Sequence, residues 1–136
     1  MSNKRCRGMS LMELVVVIVI VGVLSAIAIP NFNRSRERAL GQEARATVKL
    51  IVAAEKIYNM EAGSYYYSSD RANINTNLKL SLAATNWTYS ITNAGGSYTV
   101  YAQRIAGYGS YSNCLYSLAY GDADDEPNAN STSYCP

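Results

Sequence analysis

The chain has 136 residues, 49% of them hydrophobic, and a net charge of +2. A chain of this size has room for one small folded domain and one additional apolar segment, so a second hydrophobic core is not expected. It contains no histidine. This excludes catalytic triads and zinc motifs built on an imidazole, and the near balance of twelve basic and ten acidic residues gives no indication of nucleic acid binding.

An apolar run covers residues 11–29, and its only charged member is Glu13. As a helix, the run would be about 28 Å long, close to the roughly 30 Å hydrocarbon core of a bilayer. Three cations stand before it: Lys4, Arg5 and Arg7. The pattern predicts a membrane-spanning helix with one carboxylate near its start.

A conventional secretory signal is an alternative interpretation of the same segment. Residues 4–7 would be its positive region, residues 14–24 its apolar region, and Ala26-Ile27-Ala28 its cleavage site. The product would be a secreted small binding domain. Glu13 and the helical sequence that continues beyond Pro30 argue against this interpretation, but the spacing alone leaves it open.

The cysteines divide around the apolar run. Cys6 precedes it, whereas Cys114 and Cys135 follow it at a distance. If the chain is cut before the run, an even pair remains in the part that would face an oxidising compartment. We therefore predict a Cys114–Cys135 disulfide, with two buried free thiols as the alternative.

A second helical pattern covers residues 35–60. Small or apolar residues recur in steps of three and four, and charged residues occupy the other faces. Joined to the apolar run, the helix would extend from about residue 10 to 60, with a bend or loosened turn at Pro30. The predicted stripe is Ala39 or Leu40, Ala44, Thr47 or Val48, Ile51, Ala54 and Tyr58, and the charged residues predicted on the other faces are Arg38, Glu43, Arg45, Lys49, Glu55 and Lys56.

The C-terminal half alternates polar with apolar residues. Residues 63–77 are typical of a loop, and residues 86–91 and 97–105 predict a β-hairpin joined by residues 92–96. A third strand is predicted within residues 112–121, while residues 122–136 show no periodicity and need Cys135 as a tether. The fold class is therefore α+β, a long helix packed on a small antiparallel sheet.

The stretch RGMSLMELVVVIVIVGVLSAIAIP resembles the N-terminus of type IV prepilins and of type II secretion pseudopilins. Gly8 matches the residue before the cleavage site and Met9 the new N-terminus, although the family usually has Phe there. Glu13 matches the family's glutamate, and Gly22 and Pro30 match its helix-loosening pair. The resemblance implies a pilin fold: a leader of residues 1–8, a transmembrane and filament-core helix of residues 9–29, and a periplasmic part of residues 30–136.

The resemblance also implies a structural protein rather than an enzyme. A prepilin peptidase would cut after Gly8 and N-methylate Met9, and the new ammonium of Met9 would pair with Glu13 of a neighbouring subunit during docking. Because glycine lacks a side chain, the peptide before the cut fits a narrow active site. The alternative for Glu13 is that it only reaches the lipid headgroups from near the helix end.

The implied partners are other copies of the chain, the prepilin peptidase and N-methyltransferase, membrane lipid, and an inner-membrane assembly platform with its ATPase. The chain would wait in the inner membrane with its head in the periplasm, and then join a cell-surface pilus. A type II secretion pseudopilin is the nearest alternative function.

Two charged stretches receive a simpler interpretation. Residues 34–38 are expected to be a solvated helix face. The acidic stretch around residue 122 lacks the spacing and glycine of a calcium loop, so we expect a solvated acidic turn and no cofactor. Its candidate calcium ligands are Asp122, Asp124, Asp125 and Glu126.

Overall fold

The fold is taken from a computed structural model, which describes residues 9–83, 86–94, 96–107, 109–121, 126–129 and 135. Two compact units, Met1–Ser35 and Arg36–Pro136, are described separately below. The elements are α1 (Leu11–Ala62), α2 (Arg71–Asn77), β1 (Trp87–Ala94), β2 (Ser97–Arg104), a 3₁₀ helix (Gly109–Asn113), β3 (Leu115–Ala119) and β4 (Asn128–Ala129). The predicted α+β class is confirmed.

The described part of the first unit is helical from Leu11 onward, within α1. The helix starts and ends within two residues of the predicted bounds. It continues through Pro30, whose ring nitrogen has no hydrogen to donate to the carbonyl of Ala26. The helix therefore lacks one backbone bond at this position, and a loosened turn there stays a prediction.

In the second unit, α1 buries the predicted apolar stripe. Ala44, Val48 and Ile51 are fully buried, and Ala54 is nearly so. They share one core with alternate residues of the sheet, which are Trp87, Tyr89 and Ile91 on β1, Tyr98, Val100 and Ala102 on β2, and Tyr116 and Leu118 on β3. Since a helix returns to the same face every 3.6 residues and a strand every two, both periodicities meet in one core.

The sheet is antiparallel, with strand order β1-β2-β3-β4. Ile91 lies opposite Val100, which lies opposite Leu118, so the buried side chains form rows across three strands. The hairpin was predicted correctly, but β1 continues to Ala94, where a connection had been expected. Ala94 pairs with Ser97, and Gly96 has a φ of 93°, so a two-residue turn replaces the predicted five-residue one.

The predicted loop of residues 63–77 was wrong in its second half, which forms α2. Asp70 caps this helix, because its carboxylate accepts a hydrogen bond of 2.9 Å from the N–H of Ala72. Ile74 anchors the helix in the core, where it is fully buried. The helix was not predicted because the segment is mostly polar and has a single large apolar residue, Ile74. The Asp70 cap and the burial of Ile74 stabilise it.

The predicted disulfide is confirmed: Cys114 and Cys135 are bonded, with an S–S distance of 2.04 Å. The tail shows no periodicity in the sequence, yet its residues Asn128 and Ala129 form β4, which pairs with Tyr116 and Ser117 of β3. This short strand forms because the edge of β3 offers unpaired backbone groups to a chain that Cys135 holds nearby. Most other tail residues lie outside the described residues.

The expectation of a solvated face for residues 34–38 was wrong for Glu37, which is only 3% exposed. Its carboxylate accepts two hydrogen bonds of 3.2 Å from the guanidinium of Arg104, at the end of β2. Arg104 also donates to the carbonyl of Asn86 at 2.7 Å and lies over the ring of Trp87. This buried bidentate pair joins α1 to the sheet within the second unit.

We predict that replacing both bonded cysteines, Cys114→Ser with Cys135→Ser, lowers the free energy of unfolding by about 3 kcal/mol. Closing a loop of this length removes conformational entropy from the unfolded chain. The measurement is denaturant unfolding of the mature chain in micelles, followed by the fluorescence of Trp87, the only tryptophan. Reduced wild-type protein is the control, and equal stability of the oxidised wild type and the double variant would contradict the prediction.

We predict that Glu37→Ala lowers the free energy of unfolding by about 3–5 kcal/mol, because it leaves the Arg104 guanidinium buried without its partner. Changing both residues to methionine is expected to recover most of this loss. The matched control is Glu61→Ala, since Glu61 forms an exposed pair with Lys79 at 3.7 Å and its loss is expected to cost less than about 1 kcal/mol. Equal decreases in the free energy of unfolding for Glu37→Ala and Glu61→Ala would show that the buried pair contributes no more to stability than the exposed one.

Candidate subunit-docking segment

The candidate functional site is the start of α1. Ser10 precedes the helix, and its carbonyl accepts the N–H of Leu14 at 3.1 Å. Glu13 lies in the first turn of the helix. The spacing Ser-x-x-Glu is the sequence pattern of a capping box, in which a glutamate or glutamine in the first turn satisfies free backbone N–H groups. The sequence interpretation of Glu13 overlooked this signal.

The electrostatics of the first helical turn favour a carboxylate. The first N–H groups of a helix have no partners within it, and the helix dipole places partial positive charge at this end. Glu13 is exposed, so it is available to a group outside its own chain. One carboxylate can thus stabilise the helix start before assembly and remain ready to meet a cation.

The helix that follows presents a continuous apolar surface. Its large apolar side chains from Leu11 to Phe32 are between 40% and 80% exposed. The segment is long and apolar enough to cross a membrane. Within it, an added Cβ at Gly22 would meet no atom within 4 Å. The surface is therefore suited to lipid or to other apolar helices, and Gly22 leaves a notch where a second helix can approach closely.

The structure describes all of the predicted processing, docking and helix-loosening residues except Gly8. Met9 and Glu13 are both exposed and lie close together in the chain at the start of α1, whereas Gly8 lies outside the described residues. Gly22 and Pro30 both lie within α1.

The acidic stretch is described only at its end. Asp122, Asp124 and Asp125 lie outside the described residues, and Glu126 forms an exposed ion pair with Lys49. Within the described ranges, no group of three or more potential metal ligands occurs. Calcium binding by this stretch stays an untested possibility from the sequence.

One further acid departs from its predicted position. Glu55 was expected on a face of α1 other than the apolar stripe, but it is completely buried. Burial raises its pKa from 4.5 to about 7, although a hydrogen bond from the N–H of Tyr66 lowers it in part. Its partner is a backbone group, which has no signature in the sequence.

Residues 3–29 match the family model described as the prokaryotic N-terminal methylation motif. The matched range contains Gly8, Met9 and Glu13 together with the whole apolar run of residues 11–29. The motif indicates processing by a prepilin peptidase.

Comparison with characterised proteins gives relatives in two kinds of system. The chain is 33% identical over 105 residues to the type IV wide pilus major component PilA4 of Thermus thermophilus, covering 76% of this chain and 78% of that protein. It is 42% identical over 71 residues to the type IV major pilin protein PilA of Myxococcus xanthus, covering 52% of this chain and 31% of that protein. It is 36% identical over 64 residues to the type II secretion system core protein G of Pectobacterium carotovorum subsp. carotovorum, covering 47% of this chain and 41% of that protein.

The extent of these matches differs between the relatives. The matches to the Myxococcus and Pectobacterium proteins span less than half of each relative. The match to the Thermus protein spans more than three quarters of both chains, so it includes much of the C-terminal half as well as the helix.

We predict that Gly8→Val prevents removal of residues 1–8, because a branched side chain before the cut obstructs an extended substrate in a narrow active site. The measurement is the N-terminal residue and intact mass of the chain recovered from membranes. The matched control is Gly22→Ala, which adds a methyl group in open space and should leave processing unchanged. Normal removal of the leader from Gly8→Val would refute the cleavage assignment, and an N-terminus at Ile29 would indicate a conventional signal peptide.

Proposed function

The chain belongs to the type IV pilin and pseudopilin family, and we propose that it is the structural subunit of a type IV pilus filament. The family consists of structural subunits, and the chain is not an enzyme. The observation that carries the proposal is the exposed apolar surface of α1 directly behind a prepilin processing motif. The same apolar surface would contact lipid while the subunit lies in the membrane and would contact other helices in the filament core.

The apolar helix serves two environments in succession. Before assembly, residues 9–29 lie in the bilayer, where hydrocarbon covers their side chains. During assembly, the same side chains leave lipid and pack against the helices of other subunits. Because lipid tails and leucine-like side chains are about equally apolar, this transfer requires little change in hydrophobic free energy, and packing and polar contacts decide its direction.

Glu13 supplies the polar contact. A charge in hydrocarbon costs roughly 2.5–3.5 kcal/mol on insertion scales, so a carboxylate in this segment favours any arrangement that provides a cation. Cleavage after Gly8 creates one, the ammonium of Met9. Pairing between Met9 of one subunit and Glu13 of the next would offset the burial of both charges and set the register between neighbouring helices.

In the proposed pathway the subunit is first processed, then folded and finally assembled. The prepilin peptidase removes residues 1–8 and methylates Met9 at the inner membrane, and the second unit folds in the periplasm, where Cys114 and Cys135 are oxidised. An assembly platform driven by its ATPase then extracts the subunit into a growing cell-surface pilus. The confirmed disulfide supports an oxidising location for the head.

A type II secretion pseudopilus is the second candidate, and one observation favours it: the chain matches the core protein G of several secretion systems. Those matches cover 41% of each of these relatives. The match to the wide pilus component covers 78% of that protein. The wider match supports the pilus over the secretion system.

We predict that Glu13→Gln is processed normally but reduces incorporation into filaments by at least tenfold, equivalent to about 1.4 kcal/mol or more in the docking equilibrium. Glutamine also fits the capping-box pattern that Ser10 and Glu13 form, so the substitution removes the charge and keeps that sequence pattern. The measurement is the ratio of subunit in sheared filaments to subunit in membranes. Glu61→Gln, an exposed acid near the other end of α1, is the control. Wild-type filament yields from Glu13→Gln would eliminate the docking role.

A further inference from the structure

Glu55 is a buried acid that the proposed pairing of Met9 with Glu13 does not involve. It lies in α1 with none of its surface exposed. Its Oε2 atom accepts a hydrogen bond of 3.0 Å from the backbone N–H of Tyr66, eleven residues later. Its Oε1 atom is buried and has no hydrogen-bond partner among the described residues. A buried polar atom without a partner is costly, and an ionised one is more so.

Tyr66 belongs to the connection between α1 and α2, residues 63–70, which contacts both helices and the sheet. The ring of Tyr66 packs against the edge of Tyr58 at 5.7 Å. Ser68 forms one isolated bridge with Ile91 on β1, with hydrogen bonds of 3.1 and 2.8 Å. Tyr67 between them is 69% exposed. The Tyr66 hydroxyl also accepts a hydrogen bond of 3.0 Å from the side-chain amide of Asn77 on α2. The bond to Glu55 is thus one of several contacts that hold the connection against the rest of the second unit, and it is the one made by a buried acid.

The titratable groups around Glu55 are mostly tyrosines. Tyr65 on the connection packs against Tyr98 on β2 at 4.6 Å and against Tyr120 after β3 at 5.4 Å. Burial raises the pKa of Tyr65, and Tyr120 and the Glu55 carboxylate raise it further. The other charged groups near the two ends of the connection and α2 are solvent-exposed, namely Lys56 and Glu61 on α1 and Lys79 after α2. No described lysine or arginine forms an ion pair with Glu55.

Two opposing influences act on this carboxyl group. Burial disfavours its charged form, while the N–H of Tyr66 favours it. Burial is the larger, so the pKa of Glu55 rises to about 7. Near neutral pH the group therefore changes charge inside the core.

We propose that Glu55 is a pH-sensitive latch: its neutral form holds the connection of residues 63–70 against the core, and its ionisation releases that connection to solvent. The proposal goes beyond the filament function and does not depend on it. The latch is closed below neutral pH, where the buried group carries a proton. As the pH rises past neutrality, the closed form must bury a charge, whereas the open form lets water solvate it.

The direction and size of the effect follow from proton linkage. In the open form the pKa returns to its ordinary value of 4.5, and in the closed form it is about 7. The stabilisation of the closed form is fully present below pH 4.5 and is lost as the pH rises through 7. The ratio of open to closed connection accordingly rises about tenfold between pH 6 and pH 8.

The test is hydrogen exchange, followed by mass spectrometry, of the mature full-length chain in uncharged detergent micelles. Opening constants for peptides from residues 63–70 are corrected for the intrinsic pH dependence of exchange. We expect about a tenfold rise between pH 6 and pH 8 in the wild type and a flat profile in Glu55→Gln, which is neutral at every pH. Glu61→Gln should keep the wild-type slope. A flat wild-type profile, or an unchanged slope in Glu55→Gln, would overturn the proposal.

A second measurement keeps the proposal testable if Glu55→Gln does not fold. The side-chain carboxyl carbon of Glu55 in the wild-type protein is titrated by nuclear magnetic resonance, with assignment through its own bonded neighbours. A midpoint near 7 supports the latch. A midpoint near the ordinary value of 4.5 overturns it, because such a group is already charged throughout the pH range in which the latch would act.

Discussion

The N-terminal part of α1 has an apolar surface that must be covered by lipid or by other helices, and this is the main constraint on the function of the chain. Its side chains from Leu11 to Phe32 are left exposed, and within residues 11–29 only Glu13 is charged. Such a helix is stable in lipid or among other helices, and it is not stable bare in water. In the proposed function, lipid and then the helices of other subunits cover this surface, and the charge at Glu13 favours the second of these environments.

The second unit must fold in water although it is small and buries little apolar surface. Its core combines one helical stripe with alternate residues of a small sheet, and a disulfide and a buried ion pair add two fixed points. Small domains depend on such cross-links because they bury too little apolar surface to be stable otherwise. The Glu37–Arg104 pair orients α1 on the sheet, whereas Glu55 keeps one titratable site beneath the connection to α2.

Features with a local signature in the sequence were predictable, and features that depend on distant partners were not. The stripe of Ala44, Val48 and Ile51 and the hairpin alternation follow from helix and strand periodicity, and the disulfide follows from cysteine number and position. Glu37 gave no sign of burial, because its partner lies 67 residues away on β2. Glu55 was misplaced for a related reason, since its partner is a backbone N–H. The capping signals at Asp70 and at the Ser10–Glu13 spacing were present in the sequence and were overlooked.

The most direct test of subunit docking is a structure of the assembled filament by electron cryomicroscopy, at a resolution that shows side chains in the helical core. The charge-pair mechanism predicts that the Glu13 carboxylate of each subunit lies within about 4 Å of the Met9 ammonium of a neighbouring subunit. A filament in which Glu13 faces solvent, or contacts only backbone groups of its own first turn, would contradict it.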